Sequence, residues 1–122
     1  MSDTSYEIVD PAQLDWEYSE RGTAHSRNLA GALGCEKLTP RLWRLEPGET
    51  MSRHRHEEQE EFYFLLSGPG GIRLEDELHT LEPGHAVRVS PPVARRLENV
   101  GDEPVTFLAV AAPPRHHDGV HL

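Results

Sequence analysis

The feature that most constrains this chain is the cadence of its turn signals. Between Lys37 and Ala112, short apolar segments such as "RLWRL", "EFYFLLSG", "GGIRL", "AVRV" and "VTFLAVAAP" are cut by "EPGE", "LEPG", "SPP" and "RRLENVGDEP". Breaks spaced roughly 8 to 12 residues apart mark an all-β sandwich or barrel. Long helical periodicity is absent there. Leu42, Arg44 and Glu46 alternate with Trp43 and Leu45, and Val87 and Val89 alternate with Arg88, the period-two pattern of half-buried strands. In "EPGE" and "LEPG" the proline fixes φ and the glycine supplies a conformation closed to other residues, so both read as turns.

With 122 residues the chain has room for one domain and one core. Residues 37–112 carry the β pattern. Residues 1–36 read as an N-terminal arm with one or two edge strands, or with a short helix on "DPAQLDWEYSE" capped by Asp10 with Pro11 at its first position. Residues 113–122, "PPRHHDGVHL", read as a frayed tail.

Net charge is −9, and eleven arginines stand against the single Lys37 without forming a run, which disfavours a general nucleic-acid surface and leaves room for a local anion site. No window approaches the roughly 18 consecutive apolar residues of a membrane span, and "MSDTSYEIVD" lacks the basic-then-apolar order of a secretory leader. Cys35 is the only cysteine, so no internal disulfide forms, and a reducing cytoplasm is the expected compartment. Without a basic neighbour at motif spacing, Cys35 has no catalytic case.

Chemistry concentrates in "GETMSRHRHEEQEEFYFLLSG", Gly48 to Gly68. Residues two apart on a strand share a face, so His54 and His56 project together while Arg53 and Arg55 face away. Two imidazoles on one face can share an ion, and a carboxylate from an adjacent strand would complete the two-histidine, one-carboxylate set of non-haem iron oxygenases. Glu57, Glu58, Glu60 and Glu61 are the candidates. Glu61, Tyr63 and Leu65 share one face of their strand; Glu60, Phe62, Phe64 and Leu66 share the other. Both faces are apolar, so the one bearing Phe62, Phe64 and Leu66 needs a cover, from the N-terminal arm or a second subunit. His25, His79 and His85 have no ligand partner visible in the sequence.

The same stretch resembles the first motif of the cupin superfamily, G-x5-H-x-H-x(3,4)-E-x6-G, with Gly48, His54, His56, Glu61 and Gly68 at the specified positions. The resemblance selects Glu61 among the four glutamates. The second cupin motif, G-x5-P-x-G-x2-H-x3-N, falls on "GHAVRVSPPVARRLEN": Gly84 and Asn99 match, Ser90 and Pro92 depart, and Arg95 stands where the fourth metal ligand, a histidine, is usual. Arginine stays protonated and offers no lone pair, so Arg95 cannot replace that ligand.

The resemblance is to small single-domain cupins and spans roughly Leu42 to Ala112. It implies a jelly-roll antiparallel β-barrel, commonly dimeric, with His54, His56 and Glu61 holding one divalent transition metal at its mouth. Zinc, manganese, nickel and iron all suit these donors. Arg95 is expected to hold an anionic group of a small-molecule substrate bidentately; pairing with Glu61 in place of the ion and turning to solvent are its other readings. Tyr63 is a candidate hydrogen-bond donor to a bound ligand. Oxygenase chemistry fits the ligand set best, because open positions let substrate and dioxygen bind side by side; isomerase and decarboxylase chemistry occur in the same superfamily, but no general base is evident beyond Glu61. The alternative is a non-enzymatic cupin that binds or senses a small ligand, with or without metal.

Overall fold

The computed structural model describes residues 5–18 and 22–122. A single 3₁₀ turn, Pro11–Gln13, opens the arm. Asp10 accepts a hydrogen bond from the Ala12 N–H at 3.0 Å and Pro11 leads the turn, the start chemistry read from the sequence. Leu14 is already extended, and the chain passes into β1 (Glu17–Tyr18) and β2 (His25–Arg27), which pair with each other. A five-residue helix, α1 (Leu29–Leu33), follows, with Asn28 capping its start and Gly34, at φ +69, ending it.

The remaining strands are β3 (Thr39–Leu45), β4 (His54–His56), β5 (Glu60–Ser67), β6 (Gly70–Leu74), β7 (Glu77–Leu81), β8 (Ala86–Val89), β9 (Arg95–Asn99), β10 (Val105–Ala112) and β11 (Gly119–His121). They build two antiparallel sheets, in the orders β1-β2-β3-β10-β5-β8 and β11-β4-β9-β6-β7, the jelly-roll arrangement. Among the described residues no helix is long and apolar enough to cross a membrane.

Strand alternation decides which residues meet between the sheets. Leu45, Tyr63, Leu65, Val89 and Phe107 point inward from the first sheet, and Ile72 and Leu97 from the second. Burying each such side chain contributes about 1.5–3 kcal/mol. The sheets pack tightly at Gly70, where an added Cβ would stand 2.8 Å from Phe107 Cζ and 3.0 Å from Leu65 Cδ2. At Gly68, the glycine that closes the histidine motif, φ is +89 and a Cβ would run into the Pro104 carbonyl, so both backbone and space demand glycine. On the outer face of β5, Phe62 and Leu66 stay 39% and 46% exposed; the described residues of the arm leave them uncovered.

The C-terminal segment does not fray. β11 pairs antiparallel with β4, with Gly119 opposite His56 and His121 opposite His54. Without it β4 would be an edge strand, with backbone groups left to solvent. Asp118 anchors the return: it is 7% exposed and accepts from the backbone N–H groups of Glu58 and Gln59 at 2.9 Å each. The sequence pattern missed this because three strand residues flanked by histidines and prolines carry no alternation to read.

Gly70→Ala should lower stability by about 1–3 kcal/mol through overpacking against Phe107 and Leu65. The check is equilibrium denaturation with intact secondary structure by circular dichroism.

Candidate metal centre

Two strands supply the cluster. His54 and His56 come from β4, Glu61 from the start of β5, and one ligand atom from each lies within 4.8 Å of the other two. Arg95 on β9 sits directly opposite His54 in the ladder, so the second cupin motif reaches the same spot from the neighbouring strand. Arg53 and Arg55 face away as the alternation requires, towards Asp76 and Glu57.

Hydrogen bonding fixes which nitrogen of each imidazole faces the cluster. His54 Nδ1 lies 3.0 Å from the Ser52 carbonyl, and His56 Nδ1 lies 3.2 Å from Asp118 Oδ2. A carbonyl and an ionised carboxylate only accept, so both Nδ1 atoms carry the hydrogen. In the neutral rings both Nε2 atoms then present lone pairs to Glu61 Oε1, at 3.9 Å from His54 and 3.5 Å from His56. His56 Nε2 is buried and, among the described residues, has no hydrogen-bond partner. Lone pairs facing a carboxylate in a dry site repel one another unless a cation or a proton stands between them. A histidine whose second nitrogen is held by a carboxylate is the usual form of a metal-binding imidazole.

Glu61 is tied down from its other side. Oε1 accepts from Tyr63 Oη at 2.5 Å and from Arg95 Nη1 at 2.9 Å, and among the described residues no hydrogen bond reaches Oε2. Burial alone would push this carboxyl up, but the Tyr63 hydroxyl and the two imidazoles, when a proton rather than a metal ion sits on Nε2, outweigh it and hold the group at about 2. Burial pushes His54 down, helped by the neighbouring His56 and Arg95 and opposed by its bond to Ser52 and by Glu61, so the neutral, ligating form is favoured. Tyr63 is pushed well up by burial and by Glu61, and it stays a hydrogen-bond donor.

The two residues expected to touch substrate are placed elsewhere. Arg95 is 0% exposed, and its guanidinium is spent on protein: Nε donates to Val93 O, Nη2 to the carbonyls of Ser90, Pro91 and Val93, and Nη1 to Glu61. The physical reason is desolvation, since a buried guanidinium needs its donors satisfied and its charge countered, and the Ser90–Val93 turn and Glu61 do both. Tyr63 is 0% exposed and donates to Glu61, not to a ligand. Conversely, sequence reading missed Asp118, which binds His56 from 62 residues away with no spacing signal to give it away.

The cluster opens on a cavity of about 700 Å³ whose wall includes Arg41, Trp43, Met51, Ala109, Ala111 and His121. Such a volume suits a small molecule. His25, His79 and His85 lie outside both the cluster and the cavity wall.

Residues 41–111 match the family model described as Cupin domain. The chain belongs to the cupin family. Over 70 residues this cupin is 39% identical to a glucose-6-phosphate isomerase of Thermococcus gammatolerans, a match covering 53% of this chain and 37% of that enzyme. The chain spans about half the length of the curated relatives it matches: 55% of an uncharacterised protein of Methanocaldococcus jannaschii, and less of the isomerase. Among solved structures, a cupin-superfamily sugar phosphate isomerase from Silicibacter pomeroyi superposes with a TM-score of 0.77 at 25% identity, over 88% of this chain and 76% of that one. The polyketide cyclase RemF of Streptomyces resistomycificus superposes at 0.83 with 19% identity, over 95% and 84%, a likeness of fold alone. Cupins commonly bind a divalent metal, and this one has a His-His-Glu group that could hold it.

Asp118→Ala should weaken Mn²⁺ or Zn²⁺ binding about 10- to 100-fold by freeing the His56 ring, read by titration against a metallochromic indicator. Arg95→His should act in the opposite direction, tightening the same metals by about tenfold or more through a fourth imidazole in place of a cation. Unchanged affinity in both variants would count against the cluster as a metal centre.

Proposed function

We propose that this cupin binds one divalent transition metal through His54 Nε2, His56 Nε2 and the Glu61 carboxylate, and acts on a small anionic molecule in the adjoining cavity by oxygenase-type chemistry. The observation that carries the reading is the buried, partnerless Nε2 of His56, aimed at Glu61 while Asp118 holds the opposite nitrogen. Bound there, the ion would supply Lewis acidity and, with only three protein ligands, room for substrate and a second small reactant at one centre.

The chain's own groups do the rest. Asp118 and the Ser52 carbonyl orient the imidazoles, so their lone pairs point inward before any ion arrives. Arg95 and Tyr63 grip Glu61 through Oε1, the oxygen that faces both imidazoles, and so fix the carboxylate beside them. Trp43, Met51, Ala109 and Ala111 give the cavity an apolar wall that limits competing water. The exposed Phe62 and Leu66 on the outer sheet face fit a homodimer in which a second copy covers them.

A second reading is isomerisation, favoured by the names of the relatives at 39% and 25% identity. Binding or sensing without turnover is the third, since the fold hosts both kinds of protein.

Tag-free protein should take up one equivalent of a divalent metal, and His54→Ala and His56→Ala should lose it, measured by elemental analysis after dialysis. Absence of stoichiometric metal in the wild-type protein would sink the metal reading. Fe²⁺-loaded protein should consume oxygen on a panel of small hydroxy acids and diols. Turnover of a sugar phosphate without oxygen uptake would favour the isomerase, and no turnover of either kind with any divalent metal would leave binding.

A further inference from the structure

With Arg95 sealed inside the protein, the recognition of an anionic substrate falls to another residue. The cavity wall contains two arginines, Arg41 and Arg115. Arg115 is committed at the rim: Nε donates to Glu58 at 2.6 Å and Nη1 to the Pro114 carbonyl at 2.9 Å, with the side chain 52% exposed. Arg41 differs. It lies on β3, and its Nη1 donates to Ser26 Oγ at 2.8 Å and stands 3.7 Å from Glu17 Oε2. Among the described residues no hydrogen bond engages its Nε or Nη2, which leaves an edge of the fork for a ligand. Trp43, two residues along the same strand face, has its ring centroid 6.0 Å from the guanidinium carbon and helps to hold it.

The sheet register places Arg41 with respect to the cluster. Arg41 pairs with Ala109 on β10, and Ala109 pairs on its other side with Tyr63; two residues along, Ala111 pairs with Glu61. Arg41 and Glu61 are therefore separated by two strand spacings sideways and two residues lengthwise, about 12 Å between Cα atoms. The strand between them presents alanine at both inward positions, Ala109 and Ala111, and both line the cavity. Larger residues there would fill the gap. As built, a small side-chain floor runs from an arginine with open donors to a carboxylate with an open oxygen.

We infer that Arg41 is the anion-recognition residue of this cavity, taking the terminal carboxylate or phosphate of a small acid whose opposite end carries the oxygen pair that meets the His54–His56–Glu61 cluster. This rests on the metal reading of the preceding section and adds the substrate class: a molecule anionic at both ends and a few carbons long. Ser26 and Glu17 hold Nη1 and so aim the rest of the guanidinium. Arg95 contributes only at a distance, through Glu61.

The test uses Mn²⁺-loaded full-length protein and two matched pairs of probes: 2-oxoglutarate against 2-oxovalerate, and 3-phosphoglycerate against glycerate. Within each pair the metal-facing end is the same and only the terminal anion differs. Isothermal titration should give the wild-type protein a preference of about tenfold or more for the anionic member of at least one pair, and the pair that shows it separates carboxylate from phosphate recognition. Arg41→Gln should erase that preference with Mn²⁺ affinity and melting temperature unchanged, and Arg41→Lys should keep part of it. Mn²⁺ uptake with no preference in the wild type, or with the same preference in Arg41→Gln, overturns the role of Arg41 alone. Failure of the wild-type protein to take up Mn²⁺ overturns the metal reading itself.

Discussion

The interaction on which this structure turns is the buried contact between Arg95 and Glu61. A guanidinium with no exposed surface sits 2.9 Å from a carboxylate that also faces two imidazoles and a tyrosine hydroxyl. Neither charge could be buried there alone, and removing one partner of such a pair typically costs about 3–5 kcal/mol. The pair therefore fixes more than itself. Arg95 gathers the three carbonyls of the Ser90–Val93 turn, which sets the path from β8 into β9, while Glu61 is held with one oxygen spent and one left open.

That arrangement changes what a cupin site of this kind can be. Where a fourth imidazole would donate electron density to an ion, this chain places a positive charge, which competes with the ion for Glu61. The site still has the preorganisation of a metal centre in Asp118, whose carboxylate gives His56 a fixed tautomer and an inward lone pair. Burial and Glu58 and Gln59 amide donation act oppositely on Asp118, and the hydrogen bonds prevail, so it remains ionised and able to perform that task.

How much of this was legible in the sequence depended on range. Turn chemistry and strand alternation are local, and they gave the sheets, the inward set of Glu61, Tyr63 and Leu65, and the pairing of His54 with His56 on one face. The motif spacing chose Glu61 among four glutamates. The role of Arg95 was open between substrate and Glu61 because its direction depends on how the Ser90–Val93 turn closes over it, a tertiary fact. Asp118 and β11 were missed altogether: the contact spans 62 residues, and the strand is too short to show a period.

Charge bookkeeping links these features to the kind of molecule the cavity favours. With a divalent ion bound, Arg95 adds one positive charge, and Glu61 and Asp118 each remove one, so the inner site carries a net charge of about +1. One unit of charge about 6 Å from a ligand oxygen, at an effective dielectric near 20, favours an anion by roughly 3 kcal/mol. With an ion bound, Arg95 would favour an anion without touching it, by preventing Glu61 and Asp118 from cancelling the ion's charge. This inner preference says nothing about the far end of the molecule, where Arg41 stands two strands away beyond Ala109. With an ion held at the cluster and Arg41 acting as inferred, an alanine floor between the two would let the cavity discriminate by length as well as by charge. A one-ended anion gains only the inner attraction, and an acid too long to fit between β5 and β3 gains the outer one at the expense of the inner.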